Sequence, residues 1–260
     1  MNPRWSAVAV VLVCSAVAPL SADVLIVERM VLRTGDKSIE GVRSTYIKGN
    51  RMRLEVAQDG RTAITVYDLP AGDMIEFDTK KKRAYVRKVT ARNAKLEKEY
   101  PRERTTVTVT PAGKTQTLAG HTCTDHDFDV RVPLTSNGAI MLTLEGYACL
   151  AQSATGVEDY QTFARLAHEQ QLVLGPASDN YLLLAVARAQ TELYRALTMS
   201  GGLPLIVDMT FDVEGRGIAA SIARKVLSAS RTSASAKFDA APLADTLFTV
   251  PADWKREAKK

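Results

Sequence analysis

The polar run His121-Thr122-Cys123-Thr124-Asp125-His126-Asp127-Phe128-Asp129 is where this chain comes nearest to a reactive constellation. Read as a strand, it sets His121, Cys123, Asp125, Asp127 and Asp129 on one face, and histidine, thiolate and carboxylate are ligands that zinc accepts. That chemistry needs a free thiolate at Cys123. A solvated outer face, with the cysteine consumed by a disulfide, is the stronger reading in an oxidising compartment. His168-Glu169-Gln170-Gln171-Leu172 opens like a zinc-protease helix but lacks the second histidine four residues on. No Gly-x-Ser-x-Gly elbow, phosphate-binding glycine loop or dinucleotide fingerprint occurs, and Gly215-Arg216-Gly217 reads as a turn. With three histidines in 260 residues, the sequence assigns no catalytic residue, no metal site and no cofactor. An enzyme or metal protein is therefore the third-ranked function class.

Strands must position most of these residues. In Arg51-Met52-Arg53-Leu54-Glu55-Val56, apolar and charged residues alternate, the mark of a sheet with one buried face. Similar runs occupy 24–33, 42–48, 61–69, 73–78, 83–89, 104–110, 122–132, 139–149, 205–213, 216–227 and 246–250. Turn formers such as Gly49-Asn50, Asp59-Gly60 and Asn137-Gly138 separate many of them. Helices are expected at 157–173 and 179–199, with a further helix possible by pattern at 91–99. In the second, Leu183, Val186, Ala187, Leu193, Tyr194 and Leu197 form an apolar face and Arg188, Thr191, Glu192 and Arg195 a polar one. The Ser/Ala-rich stretch 228–236 is the only low-complexity tract.

The hairpin around Ser136 carries its own register argument. Pairing Phe128 with Leu144, Val130 with Leu142 and Val132 with Ile140 puts all six on one side and brings Cys123 opposite Cys149. A Cys123–Cys149 disulfide is expected. The same register sets Asp127 against Glu145, a like-charge pair.

The first 22 residues follow the grammar of a secretory signal peptide: Arg4, a 12-residue apolar run from Ala7 to Ala18, and a small residue at Ala22. The apolar run is shorter than the roughly 20 residues that span a bilayer. The mature chain then carries 33 basic and 29 acidic side chains. Residues 23–254 are expected to form a single domain, and 255–260 a charged tail. Charge is uneven. Residues 80–104 hold eleven cations, including Lys80, Lys81, Lys82, Arg83, Arg87 and Lys88, against three glutamates. Such a patch suits an anionic envelope component, a membrane surface or an acidic protein. Nucleic acid is not expected as a partner of an exported chain without a binding module.

Several ordered motifs resemble bacterial exported proteins of the LolA/LolB lipoprotein-localisation-factor superfamily. Tyr46-Ile47-Lys48-Gly49-Asn50-Arg51-Met52-Arg53 is similar to that family's first hairpin, and Asp68-Leu69, Met74, Asp78, Lys82 and Tyr85 to its next strands. Gly120-His121-Thr122-Cys123 resembles a later segment. Gly202-Leu203-Pro204 and Leu247-Phe248-Thr249-Val250-Pro251 are similar to its closing strands. The resemblance implies an α+β, mainly β fold: a strongly curved antiparallel sheet forming an incomplete barrel, with helices covering the concave face. It also implies a non-enzymatic periplasmic protein that binds a lipid, an acyl chain or another apolar ligand between sheet and helices. Met52, Leu54, Val56, Ile64, Val66, Phe128, Leu144, Leu183 and Val186 are the candidate cavity residues. The alternative is an envelope interaction module that uses the basic 80–104 face.

Overall fold

In the computed structural model, which describes residues 23–172 and 181–258, the alternating segments form one sheet. Six strands follow one another: β1 (Val24–Thr34), β2 (Lys37–Lys48), β3 (Arg51–Gln58), β4 (Arg61–Asp68), β5 (Asp73–Asp78) and β6 (Arg83–Lys88). Helix α1 (Val89–Glu99) and a 3-10 turn at Arg102–Arg104 lead to β7 (Thr106–Leu118), β8 (His121–Pro133) and β9 (Met141–Ala151). Then come α2 (Val157–Glu169), α3 (Tyr181–Met199), β10 (Leu203–Glu214), α4 (Ile218–Leu227), β11 (Ala229–Ala240) and, after a 3-10 turn at Asp245–Phe248, β12 (Lys255–Ala258).

The spatial order is β12-β6-β5-β4-β3-β2-β1-β11-β10-β9-β8-β7, antiparallel throughout except where β12 joins β6 in parallel. The sheet is curved and unclosed, an incomplete barrel in the α+β class, with helices over its concave face. Two buried clusters lie between sheet and helices. In one, α3 and α4 pack Leu193, Leu197 and Leu227 on Val130, Leu144 and Phe211. In the other, α2 packs Phe163 and Ala167 near Ile26, Ile47 and Met52. A third cluster lies on the opposite face of β3–β6, where Phe248 covers Val66, Ile75 and Ala84.

Four readings of the sequence need correction. The run 216–227 is not a strand: its buried residues, Ala220, Ala223 and Leu227, recur at helical spacing, and they form α4. The Ser/Ala-rich stretch is strand β11, in the middle of the sheet between β1 and β10. Residues 246–250 contain a 3-10 turn instead of a strand. Lys255–Ala258, set apart as a tail, pair with β6.

The disulfide is formed, with Cys123 and Cys149 Cα atoms 5.3 Å apart. Its strands are offset by two residues from the expected register: Val130 faces Leu144, Val132 faces Leu142, and Asp125 stands opposite Cys149. A two-residue offset keeps each side chain on its face, so the apolar alternation is satisfied either way. Asp127 then meets Tyr147, and it is Asp129 that meets Glu145, with Arg131 3.1 Å from Asp129 to neutralise the pair. In the chain-entropy model a bridge across 26 residues contributes about 3.5 kcal/mol.

Candidate functional site

Buried charge is concentrated beneath the helices, where the strands meet at the middle of the sheet. The β1–β2 hairpin turns at Gly35-Asp36 and brings Glu28 directly opposite Arg43, while β11 places Ser235 on the other side of Glu28. The Glu28 carboxylate is buried and accepts from Arg43 through both oxygens, with Nη2 2.6 Å from Oε1. The same Nη2 reaches the Tyr194 hydroxyl of α3 at 3.3 Å. Burial opposes the charge on Arg43, but the Glu28 carboxylate beside it holds its pKa well above the ordinary value. Burial drives the Tyr160 hydroxyl of α2 well above its ordinary pKa, so it stays protonated.

Along β11, Arg231, Ser233 and Ser235 alternate onto this same face. Ser233 and Ser235 are buried, and neither hydroxyl oxygen has a hydrogen-bond partner among the described residues. Arg231 is half-buried as a whole, yet its Nε and Nη2 are shut off from solvent and also unpartnered among those residues. Burial, and then repulsion from Arg43, pulls its pKa below the ordinary value.

A small cleft of about 80 Å³ lies between α1, α2 and α3. Met52, Leu96, Phe163 and Leu172 give it apolar walls; Tyr160 and Tyr194 also line it. A second charged cluster closes one side. Arg188 donates to the Tyr100 carbonyl at 2.9 Å and to Glu192 at 3.0 Å, and pairs with Glu97 of α1. Arg195 donates to the other Glu192 oxygen at 2.7 Å, and Arg102 approaches it at 3.3 Å. Arg188 and Glu192, expected on a polar face, are both buried, because that face of α3 packs on α1 and the segment after it. His168 lies at the cleft, its pKa lowered by burial and by Arg102 and Arg195.

The residues proposed from sequence as a cavity are not brought together. Met52 lines the cleft, with Leu54 and Val56 half-buried farther along the same face of β3. Phe128 and Leu144 are core beneath α3, and Val186 packs against that core. Ile64 and Val66 face the other way, because β4 pairs them with Glu55 and Arg53, and Val66 belongs to the cluster under Phe248. Leu183 points outward, 39% exposed. Residues 179 and 180, the start of the helix expected at 179–199, lie outside the described residues.

The basic stretch carries far less free charge than its composition implies. Lys81 pairs with Asp78, Lys82 with Asp253, Arg83 with Glu257, Arg87 with Glu76 and Lys88 with Asp73; Lys80 is exposed. Nor is the His121–Asp129 run a ligand set. Cys123 is in the disulfide, His121 packs edge-on against Phe238, and Nδ1 of the buried His126 is 3.0 Å from the Thr124 carbonyl. Among the described residues no helix is long and apolar enough to cross a membrane.

One surface feature stands out. Helix α4 buries Ala220, Ala223 and Leu227 and presents Ile218, Ile222 and Val226 to solvent at 81%, 57% and 51% exposure. These recur every four residues and form a stripe.

No protein-family model and no curated protein matches the sequence. Among solved structures, the fold is similar to an uncharacterized conserved protein of Thermus thermophilus, at 11% identity and a TM-score of 0.40 over 92% of each chain. It is also similar to a LolA superfamily protein of Nitrosomonas europaea, at 8% identity and a TM-score of 0.32 over 88% of this chain and 91% of that one. A third similarity, to a chain of the MucA/MucB complex of Pseudomonas aeruginosa, has 12% identity and a TM-score of 0.33 and covers 86% of this chain and 55% of that one. At such identities the likeness is one of fold, and function rests on this chain's own residues.

Proposed function

We propose that the mature protein is a non-enzymatic periplasmic binder of a lipid, an acyl chain or another apolar ligand, held between the concave sheet and helices α1–α3. The observation that carries this reading is the incompletely packed junction of helices and sheet. There the lining of an apolar-walled cleft includes Asn93 and Thr191, whose buried side-chain oxygens have no hydrogen-bond partner among the described residues. A cleft of about 80 Å³ is well below the roughly 300 Å³ at which ligand pockets begin. Binding therefore requires α2 and α3 to move away from the sheet. Native and denaturing mass spectra of protein purified from the periplasm test this. The expected result is an extra mass released on denaturation and identified as a lipid. A bare polypeptide that also fails to take up a fluorescent acyl probe removes the reading.

A second reading, action at a surface, is favoured by α4. Residues 215–227 hold Arg216, Arg224 and Lys225 and no acidic side chain, so the apolar stripe lies in a basic setting. That combination matches a helix lying in the headgroup region of an anionic membrane. The full mature protein is expected to co-sediment with phosphatidylglycerol-containing vesicles, less so as salt is raised. Ile222→Asp should lower the bound fraction about tenfold, the loss of roughly one buried aliphatic side chain. Equal binding by the variant and the parent excludes α4 as the contact.

A further inference from the structure

Beneath the helices the charges of the described residues do not balance. Two guanidinium groups, Arg43 and Arg231, share this interior with one carboxylate, Glu28, which Arg43 engages through both oxygens. Among the described residues no other carboxylate acts on Arg231; the groups that do are Arg43, Tyr194 and Glu28. Arginine cannot shed its proton in a protein, so the excess positive charge is permanent. Buried charges are ordinarily paired, because an unpaired one forfeits its hydration without recompense. Beside Arg231 on the same strand face, Ser233 and Ser235 hold two further buried hydroxyls with no partner among the described residues. A guanidinium fork and two hydroxyl donors are the groups that bind an oxyanion.

We propose that Arg231, Ser233 and Ser235 form a buried oxyanion site that holds the carboxylate or phosphate headgroup of an anionic lipid. The inference rests on the ligand reading above and gives it a headgroup chemistry. Tyr194 connects the charged row to the cleft: its hydroxyl accepts from Arg43 and its side chain lines the cleft. The apolar tail then runs along the helix-facing side towards Met52 and Phe163, and the head sits on β11. A neutral headgroup can satisfy the serines but leaves Arg231 uncompensated, and a cationic one adds to the imbalance.

The test is direct binding to delipidated mature protein of sodium dodecanoate, monododecyl phosphate, dodecanol and inorganic phosphate. The two anionic amphiphiles should bind at least about tenfold more tightly than dodecanol, the scale of charge-assisted hydrogen bonds. Arg231→Met should abolish that preference, and Arg231→Lys should retain part of it. Without ligand, Arg231→Met should also melt higher than the parent, because the uncompensated charge is gone. If the Met variant does not fold, the Lys variant and the Ser233→Ala/Ser235→Ala pair read the same preference.

Three outcomes separate this proposal from the reading beneath it. Equal binding of dodecanol and dodecanoate, or a preference that survives Arg231→Met, overturns the headgroup site and leaves the apolar-ligand reading intact. Inorganic phosphate binding as tightly as the alkyl phosphate, and lost in Arg231→Met, keeps the oxyanion site but makes its ligand a free anion. In that case the apolar reading fails. No binding of any probe overturns both.

Discussion

Replacing Glu28 by Gln should cost about 3–5 kcal/mol of stability, the range for removing one partner of a buried charge pair. The substitution keeps the shape of the side chain but strips the charge that balances Arg43. It also leaves Arg43 and Arg231 to repel one another under α3 without an intervening anion. Urea unfolding of the oxidised protein measures the loss. The double variant Glu28→Gln/Arg43→Met should recover most of it, since one guanidinium then remains uncompensated, as in the parent. A loss below about 1 kcal/mol, the range of an exposed pair, would show that water reaches this interior and that Arg231 is not isolated.

Gly146→Ala should be the most damaging single methyl in the chain. Gly146 lies on β9 at φ +155°, and a β-carbon there would sit 1.9 Å from the Asp208 carbonyl oxygen of β10. Relief requires parting two strands in the body of the sheet, against Leu142, Leu144 and Met209, so the expected cost exceeds about 4 kcal/mol. Gly113→Ala is the comparison. It also has positive φ, +72°, but nothing stands within 4 Å of its added methyl, and the cost should be about 1 kcal/mol. The yield of soluble, disulfide-bonded protein and the urea midpoint read both. Similar midpoints for the two variants would mean that β9 and β10 approach less closely at Gly146.

Much of this architecture was legible because the sheet is half-buried. At Arg51–Val56 the alternation directly encodes which side chains face the helices, and the 3.6-residue periodicity of 181–199 marks a helix just as plainly. The difficulties arose where that code is broken for a physical reason. Helix α4 turns Ala220, Ala223 and Leu227 inward and Ile218, Ile222 and Val226 outward, so two hydrophobic stripes share ten residues and neither stands out as a single core face. Strand β11 consists largely of Ser and Ala because it lies beneath the helices beside a charged row, where bulky apolar side chains would displace Arg231.

The charged cluster was illegible for a related reason. A glutamate or arginine in an alternating strand reads as a solvent-facing position, and β1 begins with four apolar residues in succession, Val24-Leu25-Ile26-Val27, which conceal its inner face. One signal was available. A two-residue turn at Gly35-Asp36 pairs Thr34 with Lys37 and, six steps along, Glu28 with Arg43. The cleft itself has no counterpart in the sequence, since α1, α2 and α3 converge there from three separate stretches.

The place of β1 in the sheet bears on how the chain reaches this state. Its neighbours are β2, which follows at once, and β11, which pairs Val24 with Ala240. Neither half of the sheet can be joined to the other until β11 has been delivered to β1, a strand far from it in sequence. Loop-closure entropy must be met before that pairing contributes, so the final assembly step has high contact order and is slow. The consequence is a sheet whose two halves stay open to handling until β11 has emerged, and whose folding is committed only when β11 closes the gap between them.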